Sequence, residues 1–249
     1  MINDSLIILA AGLSSRMKKS VSSKNLSKRS IEQANSRDKG LIGIDKNGRP
    51  LIHYLLINAK SAGFKTIYLV IGQNSDSFKS YFDENKYDGL DIEFAVQYLE
   101  KNKLKPSGTA DALFQAITQF PILKSSNFCV CNSDNLYSAK ALRSIRSTSF
   151  SNAFISYDKS FLNFSSEKVS SFSILKLNEN GYLVNILEKP TAKDFDLFKD
   201  SGGKIRVSMN LFKFNGSVFY DYLKNCPFDV LRNEKELPTA VLNLAKDQP

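Results

Sequence analysis

The segment Leu9-Ala10-Ala11-Gly12-Leu13-Ser14-Ser15-Arg16-Met17 closes an apolar run with small residues, two hydroxyls and an arginine. Small side chains let backbone N–H groups approach anionic oxygens, Ser14 and Ser15 add hydroxyl donors, and Arg16 offers a bidentate guanidinium. The segment therefore reads as an anion cradle. It matches neither the Walker P-loop nor the G-x-G-x-x-G dinucleotide pattern, and by itself it also fits an ordinary strand-to-helix turn with a surface arginine. A second candidate is Asn132-Ser133-Asp134-Asn135, a carboxylate just beyond an apolar run, in a sequence that is also a common turn. Histidine and cysteine chemistry is sparse. His53 is the single histidine, and Cys129, Cys131 and Cys226 form no C-x-x-C pair, which excludes a disulfide framework and a zinc site. Cys129 and Cys131 are expected as two buried residues on one strand face.

These groups sit in a chain of 249 residues, 42% apolar, long enough for one large α/β domain or two small ones with a sizeable core. No run approaches the roughly 18 apolar residues of a membrane span. The apolar stretch Leu6 to Ala11 is short and lacks a basic leader, so a cytoplasmic protein is expected. The net charge of +9 asks for an anionic partner, whether nucleic acid, anionic lipid or a nucleotide with its pyrophosphate. Between Lys18 and Asp38 lie six Lys or Arg residues and six serines but no aromatic residue. Without stacking platforms that stretch is a poor match to a single-stranded nucleic-acid groove. A solvated loop and a phosphate-contacting lid remain equal readings of it.

Positioning these groups requires strands that end at them. Leu6–Ala10, Thr66–Ile71, Asp91–Gln97 and Asn127–Cys131 read as strands, and Leu51–Ala62, Ser75–Phe82, Thr109–Phe120 and Ala139–Ser147 as helices between or after them, each bounded by Gly, Pro, Asn or Ser. Such alternation implies a mostly parallel sheet. Beyond Asn152 the rhythm changes to successive strands at Ala153–Tyr157, Ser171–Leu177, Leu183–Glu188 and Ile205–Phe214, with Asn178-Glu179-Asn180-Gly181 as a hairpin turn. Val218–Lys224 and Leu237–Ala245 read as closing helices. With no repeat or linker, residues 1–249 are expected to form one domain, 1–150 its nucleotide-binding half and 151–249 its acceptor-binding half.

Taken in order, the motifs resemble those of the sugar-1-phosphate nucleotidylyltransferases. They are the Arg-terminated loop at Gly12–Arg16, Lys39-Gly40-Leu41-Ile42-Gly43-Ile44, Gly48-Arg49-Pro50-Leu51-Ile52, Ala62-Gly63, Gln97, Gly108-Thr109-Ala110-Asp111-Ala112, Asn132–Asn135, Glu188-Lys189-Pro190 and Asn210. The resemblance covers nearly the whole chain. It implies a three-layer α/β/α Rossmann-like (GT-A-like) fold with a mixed, mostly parallel central sheet and an added antiparallel substrate-side lobe. It also implies transfer of a nucleoside monophosphate from a triphosphate to a sugar-1-phosphate, releasing pyrophosphate, with Mg²⁺ as cofactor. A choline-phosphate-type cytidylyltransferase and a non-catalytic nucleotide-binding module of the same fold are the alternatives. The implied partners are the triphosphate and a phosphorylated small molecule, with no nucleic acid and no membrane; a homo-oligomer is compatible.

The resemblance assigns roles residue by residue. Arg16 would hold the β and γ phosphates, cradled with Ala10, Ala11, Gly12, Ser14 and Ser15, and Lys39 would neutralise charge near the triphosphate. Asp134 would hold the magnesium ion against the α-phosphate. Gln97, Gly108 and Thr109 would bind the base. Glu188 would receive sugar hydroxyls, Lys189 would pair with the acceptor phosphate, and Asn210 would add a sugar contact. An already ionised phosphate nucleophile needs cations and positioning more than a general base, which suits a chain with one histidine. Three departures stand out. The segment between Arg16 and Lys39 is longer than usual in the family. Ser173 stands where a glycine is frequent, which would narrow the acceptor pocket and admit smaller acceptors such as phosphocholine. The family's second metal-binding acidic residue, expected after a helix like 236–244, has no assigned counterpart.

Overall fold

Three apolar runs are long enough for a strand and carry no polar alternation, the pattern of strands covered by helices on both faces. In the computed structural model, which describes residues 3–12, 33, 38–101, 103–162, 172–230 and 232–248, they are β1 (Ser5–Leu9), β2 (Thr66–Gly72) and β4 (Asn127–Asn132). Strand β3 (Asp91–Gln97) alternates between covered and open positions along most of its length, as an edge strand should. These four pair in parallel in the order β3-β2-β1-β4. Antiparallel strands continue the sheet. They are β5 (Ala153–Asp158), β6 (Ser173–Leu177), β7 (Leu183–Leu187) and the long β8 (Arg206–Asn215). β8 pairs with β4 through its C-terminal residues and with β6 through its N-terminal ones, while β5 runs along both parts and β7 pairs with β6. The mixed, mostly parallel sheet in one half and the antiparallel addition in the other match the expected fold class.

Helices fill both faces. α1 (Leu51–Ala62), α2 (Asp76–Glu84) and α4 (Ala139–Ser147) pack with Leu6, Ile8, Ile67, Leu69, Cys129 and Cys131 on one face. On the other face α3 (Thr109–Gln119), α6 (Gly216–Lys224) and α7 (Leu237–Asp247) pack with Ile7, Leu9, Val70, Phe128, Val130, Phe212 and Phe214. Cys129 and Cys131 do share one face. Burial pushes the Cys129 thiol up to about 12 and the Cys131 thiol well above its ordinary value, so both stay protonated and inert.

Element boundaries follow the sequence reading closely, with α1, β3 and α4 ending at the expected residues. The hairpin forms as expected: Asn178 Oδ1 accepts from the Asn180 and Tyr182 N–H groups, and Gly181 has φ +82°. Helix α5 (Ala192–Leu197) has no counterpart in the sequence reading, because six residues are too short to show a helical period. Its local signal is a capping box, with the Thr191 N–H and hydroxyl donating to Asp194 at 2.7 and 2.6 Å. No helix among the described residues is long and apolar enough to cross a membrane.

The face that carries β8 is held by stacked rings: Phe214 lies 3.7 Å from Phe219 and 5.6 Å from Phe212, centroid to centroid. Both Phe214 and Phe219 are fully buried. Truncating Phe214 to alanine leaves a cavity under the strand that also carries Asn210, and is expected to cost about 3–5 kcal/mol of unfolding free energy. Urea unfolding measures this, and a loss below about 1 kcal/mol would show that β8 does not depend on the stack.

Candidate active site at the strand switch point

Connections β1 to β2 and β2 to β3 pass over one face of the sheet through α1 and α2, whereas β3 to β4 passes over the other through α3. Between β1 and β4 the chain therefore changes direction, and a crevice opens at the carboxyl ends of the two strands. A cleft of about 390 Å³ lies there. Ala10, Ala11 and Gly12 line it from the end of β1, and Asn132, Ser133 and Asp134 from the end of β4. A backbone bond ties the two ends together, Ser133 N donating to Leu9 O at 3.0 Å, while Ala10 N donates to Val70 O of β2 at 2.8 Å.

Lys39 reaches the same place from a 3₁₀ turn, Lys39–Leu41, whose Gly40 and Leu41 are buried. A Cβ on Gly40 would sit 3.3 Å from Phe78 and 3.4 Å from Ser133, so the small residue brings the turn against the β4 end. Lys39 Nζ stands 3.3 Å from Asp134 Oδ2, with both side chains about two-fifths exposed (42% and 43%). Such an open pair contributes little to stability. Its value is chemical, since it sets a carboxylate and an ammonium side by side where both can change partner. Asn135 Nδ2 donates to the Tyr137 hydroxyl and to Met209 O, and the Tyr137 hydroxyl donates to Met209 O at 2.6 Å. This links the Asp134 turn to β8, one residue from Asn210.

Gln97, Gly108 and Thr109 form the opposite wall. Gln97 is 2% exposed, and its Nε2 donates to Gly108 O at 3.0 Å and to Asp111 Oδ2 at 2.7 Å. Both partners are acceptors, so the amide orientation is fixed: the nitrogen faces them, and the carbonyl oxygen is what Gln97 can present to a ligand. Asp111, part of the Gly108–Ala112 motif but given no role from sequence, also accepts from Gln115 Nε2 at 2.9 Å. Gly108 has φ +105°, and a Cβ there would lie 2.4 Å from Lys235 O, so no other residue fits.

Glu188 and Asn210 line the antiparallel end of the cleft. Lys189 is exposed and is not among the lining residues. Ser173 pairs with Ser208 between β6 and β8 and is also off the lining, so its side chain does not narrow the cleft. Ser14, Ser15 and Arg16 lie outside the described residues, as does most of 18–38. What the sequence reading missed is the loop between α6 and α7, where Arg232, Glu234 and Glu236 line the cleft. That loop has no hydrophobic period, and only its density of charge hinted at a role. Lys105 lines the cleft too, from the stretch Lys101 to Lys105 whose basic charge the sequence offers as a flank for the phosphates. Non-glycine residues with positive φ among those described are Lys189, Asn210 and Asn233, all in segments bordering this end. Backbone outliers of that kind persist where surrounding structure holds them, often at binding sites.

As for a metal, no group of three or more His, Cys, Asp or Glu among the described residues could hold one. Magnesium commonly takes one or two carboxylates and completes its shell with water and phosphate oxygens. Asp134, open to the cleft and already facing a cation, fits that limited demand. His53 is not in the cleft; its ring is held against the Tyr87 hydroxyl at 2.9 Å, and burial, with Arg49 nearby, lowers its pKa.

Comparison with known proteins gives a consistent picture. The family model described as Nucleotidyl transferase matches residues 34–245. The chain is 24% identical over 204 residues to the Bifunctional protein GlmU of Staphylococcus epidermidis, covering 80% of this chain and 40% of that protein. It is 25% identical over 145 residues to a glucose-1-phosphate adenylyltransferase of Photobacterium profundum, covering 57% and 35%. The chain thus spans less than half the length of either relative. In fold it is similar to the crystal structure of a UDP-glucose pyrophosphorylase complexed with UDP-glucose, with a TM-score of 0.72 and 17% identity over 100% of this chain and 88% of that one.

Two consequences of the geometry can be measured. A Gln97→Glu change sets a buried carboxylate against Asp111 and Gly108 O, and is expected to lower stability near neutral pH by about 3 kcal/mol, with part recovered by adding Asp111→Asn; an unaffected unfolding curve would contradict the fixed amide. Glu236 is raised from 4.5 to about 7, by burial first and then by the Glu188 carboxylate, with Arg232 acting in the opposite direction. The folded chain holds that proton more tightly than the unfolded one, so the contribution is full below about pH 4.5 and lost as pH rises through about 7. Relative to Glu236→Gln, the parent chain should therefore lose about 2 kcal/mol of unfolding free energy between pH 5 and pH 8. A difference that stays flat over that range would show that Glu236 titrates normally.

Proposed function

Because the chain belongs to the nucleotidyl transferase family, we propose that it transfers a nucleoside monophosphate from a nucleoside triphosphate to a sugar-1-phosphate, forming a nucleoside diphosphate sugar and releasing pyrophosphate. An acceptor phosphate oxygen attacks the α-phosphorus, and the bond from that phosphorus to the oxygen bridging to the β-phosphate breaks, its electron pair leaving with pyrophosphate. The observation that carries this reading is the convergence of Gly12, Lys39, Asp134, Gln97, Gly108, Thr109, Glu188 and Asn210 on one cleft.

In this reading each wall has one task. Gln97 accepts a hydrogen bond from the base through its locked carbonyl, while Gly108 and Thr109 bring backbone close to the ring. Ala10, Ala11 and Gly12 lead the phosphates into the turn that continues to Ser14, Ser15 and Arg16, which are assigned to the β and γ phosphates by sequence. Lys39 neutralises charge as two anions meet, and released from Asp134 it is free to face the phosphates. Asp134 would hold Mg²⁺, which would supply positive charge to offset the negative charge of the phosphates. Glu188 and Asn210 receive acceptor hydroxyls, and Lys189, from just outside the cleft, is assigned to the acceptor phosphate. No general base is required, because the nucleophile is already ionised near neutral pH. Residues 1–150 serve the nucleotide and 151–249 the acceptor within a single domain.

The test is pyrophosphate release across four nucleoside triphosphates and a panel of sugar-1-phosphates and phosphoalcohols, phosphocholine included. Release is expected only when magnesium and a phosphorylated acceptor are both present. Asp134→Ala should reduce it by about 100-fold or more without changing the unfolding midpoint materially. Magnesium-dependent nucleotide binding with no release for any acceptor would instead identify a non-catalytic nucleotide-binding module.

A further inference from the structure

Five charged side chains form an unbroken chain of contacts along the acceptor end of the cleft, and all five line it. Lys105 Nζ lies 3.0 Å from Glu234 Oε1, and Arg232 Nη2 lies 3.3 Å from Glu234 Oε2. Arg232 Nη1 lies 3.0 Å from Glu188 Oε2 and also contacts Glu236 Oε1. The Glu188 contact has hydrogen-bond geometry, whereas the Glu236 oxygen is an ion-pair neighbour without a hydrogen-bond partner.

We propose that Arg232 is a positioning residue of the acceptor site, its guanidinium holding the Glu188 carboxylate in place to receive the acceptor's hydroxyl groups. The inference rests on the function proposed above and assigns that site a residue that none of its motifs contains. An isolated exposed ion pair would not support such a role. Arg232 differs because its backbone is built in. Arg232 N donates to Asp229 Oδ1 at 2.7 Å, Asn233 N donates to Asp229 O at 2.8 Å, and Lys105 Nζ donates to Arg232 O at 2.6 Å. Asn233 takes φ +53° to turn the chain there. Three residues later the loop is fastened to the base-side wall: Lys235 N donates to Ser107 O at 2.6 Å, Ala110 N to Lys235 O at 2.9 Å, and Leu237 N to Thr109 Oγ1 at 2.9 Å. The position of Glu188 is thereby referred, through Arg232, to the segment that carries Gly108 and Thr109.

Electrostatics gives the arrangement a direction. Glu188 and Glu236 repel one another across Arg232, and removing the guanidinium would leave two carboxylates facing each other in a partly buried site. The carboxyl groups of Glu188, Glu234 and Glu236 outnumber the two cations and leave spare acceptor capacity at this end, suited to hydroxyl donors. The acceptor's uncharged hydroxylated body is thus directed to Glu188.

Calorimetric titration of the full chain with magnesium separates the possibilities. The titrants are UTP, ATP, UDP-glucose, UDP-N-acetylglucosamine and ADP-glucose. The proteins are the parent, Arg232→Gln, Arg232→Lys, Glu188→Gln and the Arg232→Gln/Glu188→Gln double variant, each first shown to unfold cooperatively near the parent's midpoint. Arg232→Gln is expected to weaken the best-bound nucleoside diphosphate sugar by about tenfold or more while leaving the triphosphate within about twofold. Arg232→Lys should recover part of the loss. In the Glu188→Gln background the second change should add little, because residues that act as a unit are not additive. Equal losses for triphosphate and sugar nucleotide, unchanged sugar-nucleotide binding in Arg232→Gln, or fully additive losses in the double variant would each overturn the assignment. A parent chain that binds no titrant would reject the proposed function itself, and this inference with it, before any variant is compared.

Discussion

Everything in the cleft depends on β1 and β4 lying side by side in parallel while their crossover segments cover opposite faces of the sheet. Helices on the same face would close over the strand ends; helices on opposite faces leave them open, with free backbone groups directed outward. Register makes the alignment specific, since Leu9 pairs with Asn132, so that both strands run out at the cleft that Gly12 and Asp134 line. Lys39 adds a cation from the β1-to-β2 crossover and Gln97 an amide from the end of β3. Four chain segments distant in sequence therefore meet because one change of strand order requires it.

The two ends of the cleft differ in charge. At the β1–β4 end Lys39 faces a single carboxylate, and the sequence continues from Gly12 toward Arg16 and a run rich in Lys and Arg. At the antiparallel end two cations are matched against three carboxylates.

Positioning also draws on backbone conformations that most residues avoid. Gly108 with its positive φ lets the base-side segment approach Lys235, while Asn210 in β8 and Asn233 beside Arg232 adopt left-handed conformations. Asparagine tolerates that region better than most side chains. β8 is shaped accordingly. Its pairing with β5 shifts register between Phe154 and Ser156, near the point where Asn210 turns toward the cleft, while the stacked rings of Phe212, Phe214 and Phe219 hold the rest of the strand.

Local patterns in the sequence were sufficient for the strands and helices, because apolar periodicity and turn residues act over a few positions. That is why α1, β3 and α4 end where expected and why the six-residue α5 did not show. Motifs carried by local geometry, such as Gly108-Thr109 before a helix or Asp134 after a strand, were legible for the same reason. The tertiary structure alone decided what meets what. Asp111 matters because Gln97 comes to it from another element, and Arg232 because β7 brings Glu188 within 3.0 Å. Likewise Lys189 and Ser173 fall off the lining because strand register and backbone twist send them elsewhere. Contacts between residues far apart in the chain depend on the packing of whole layers, and no short window of sequence contains that information.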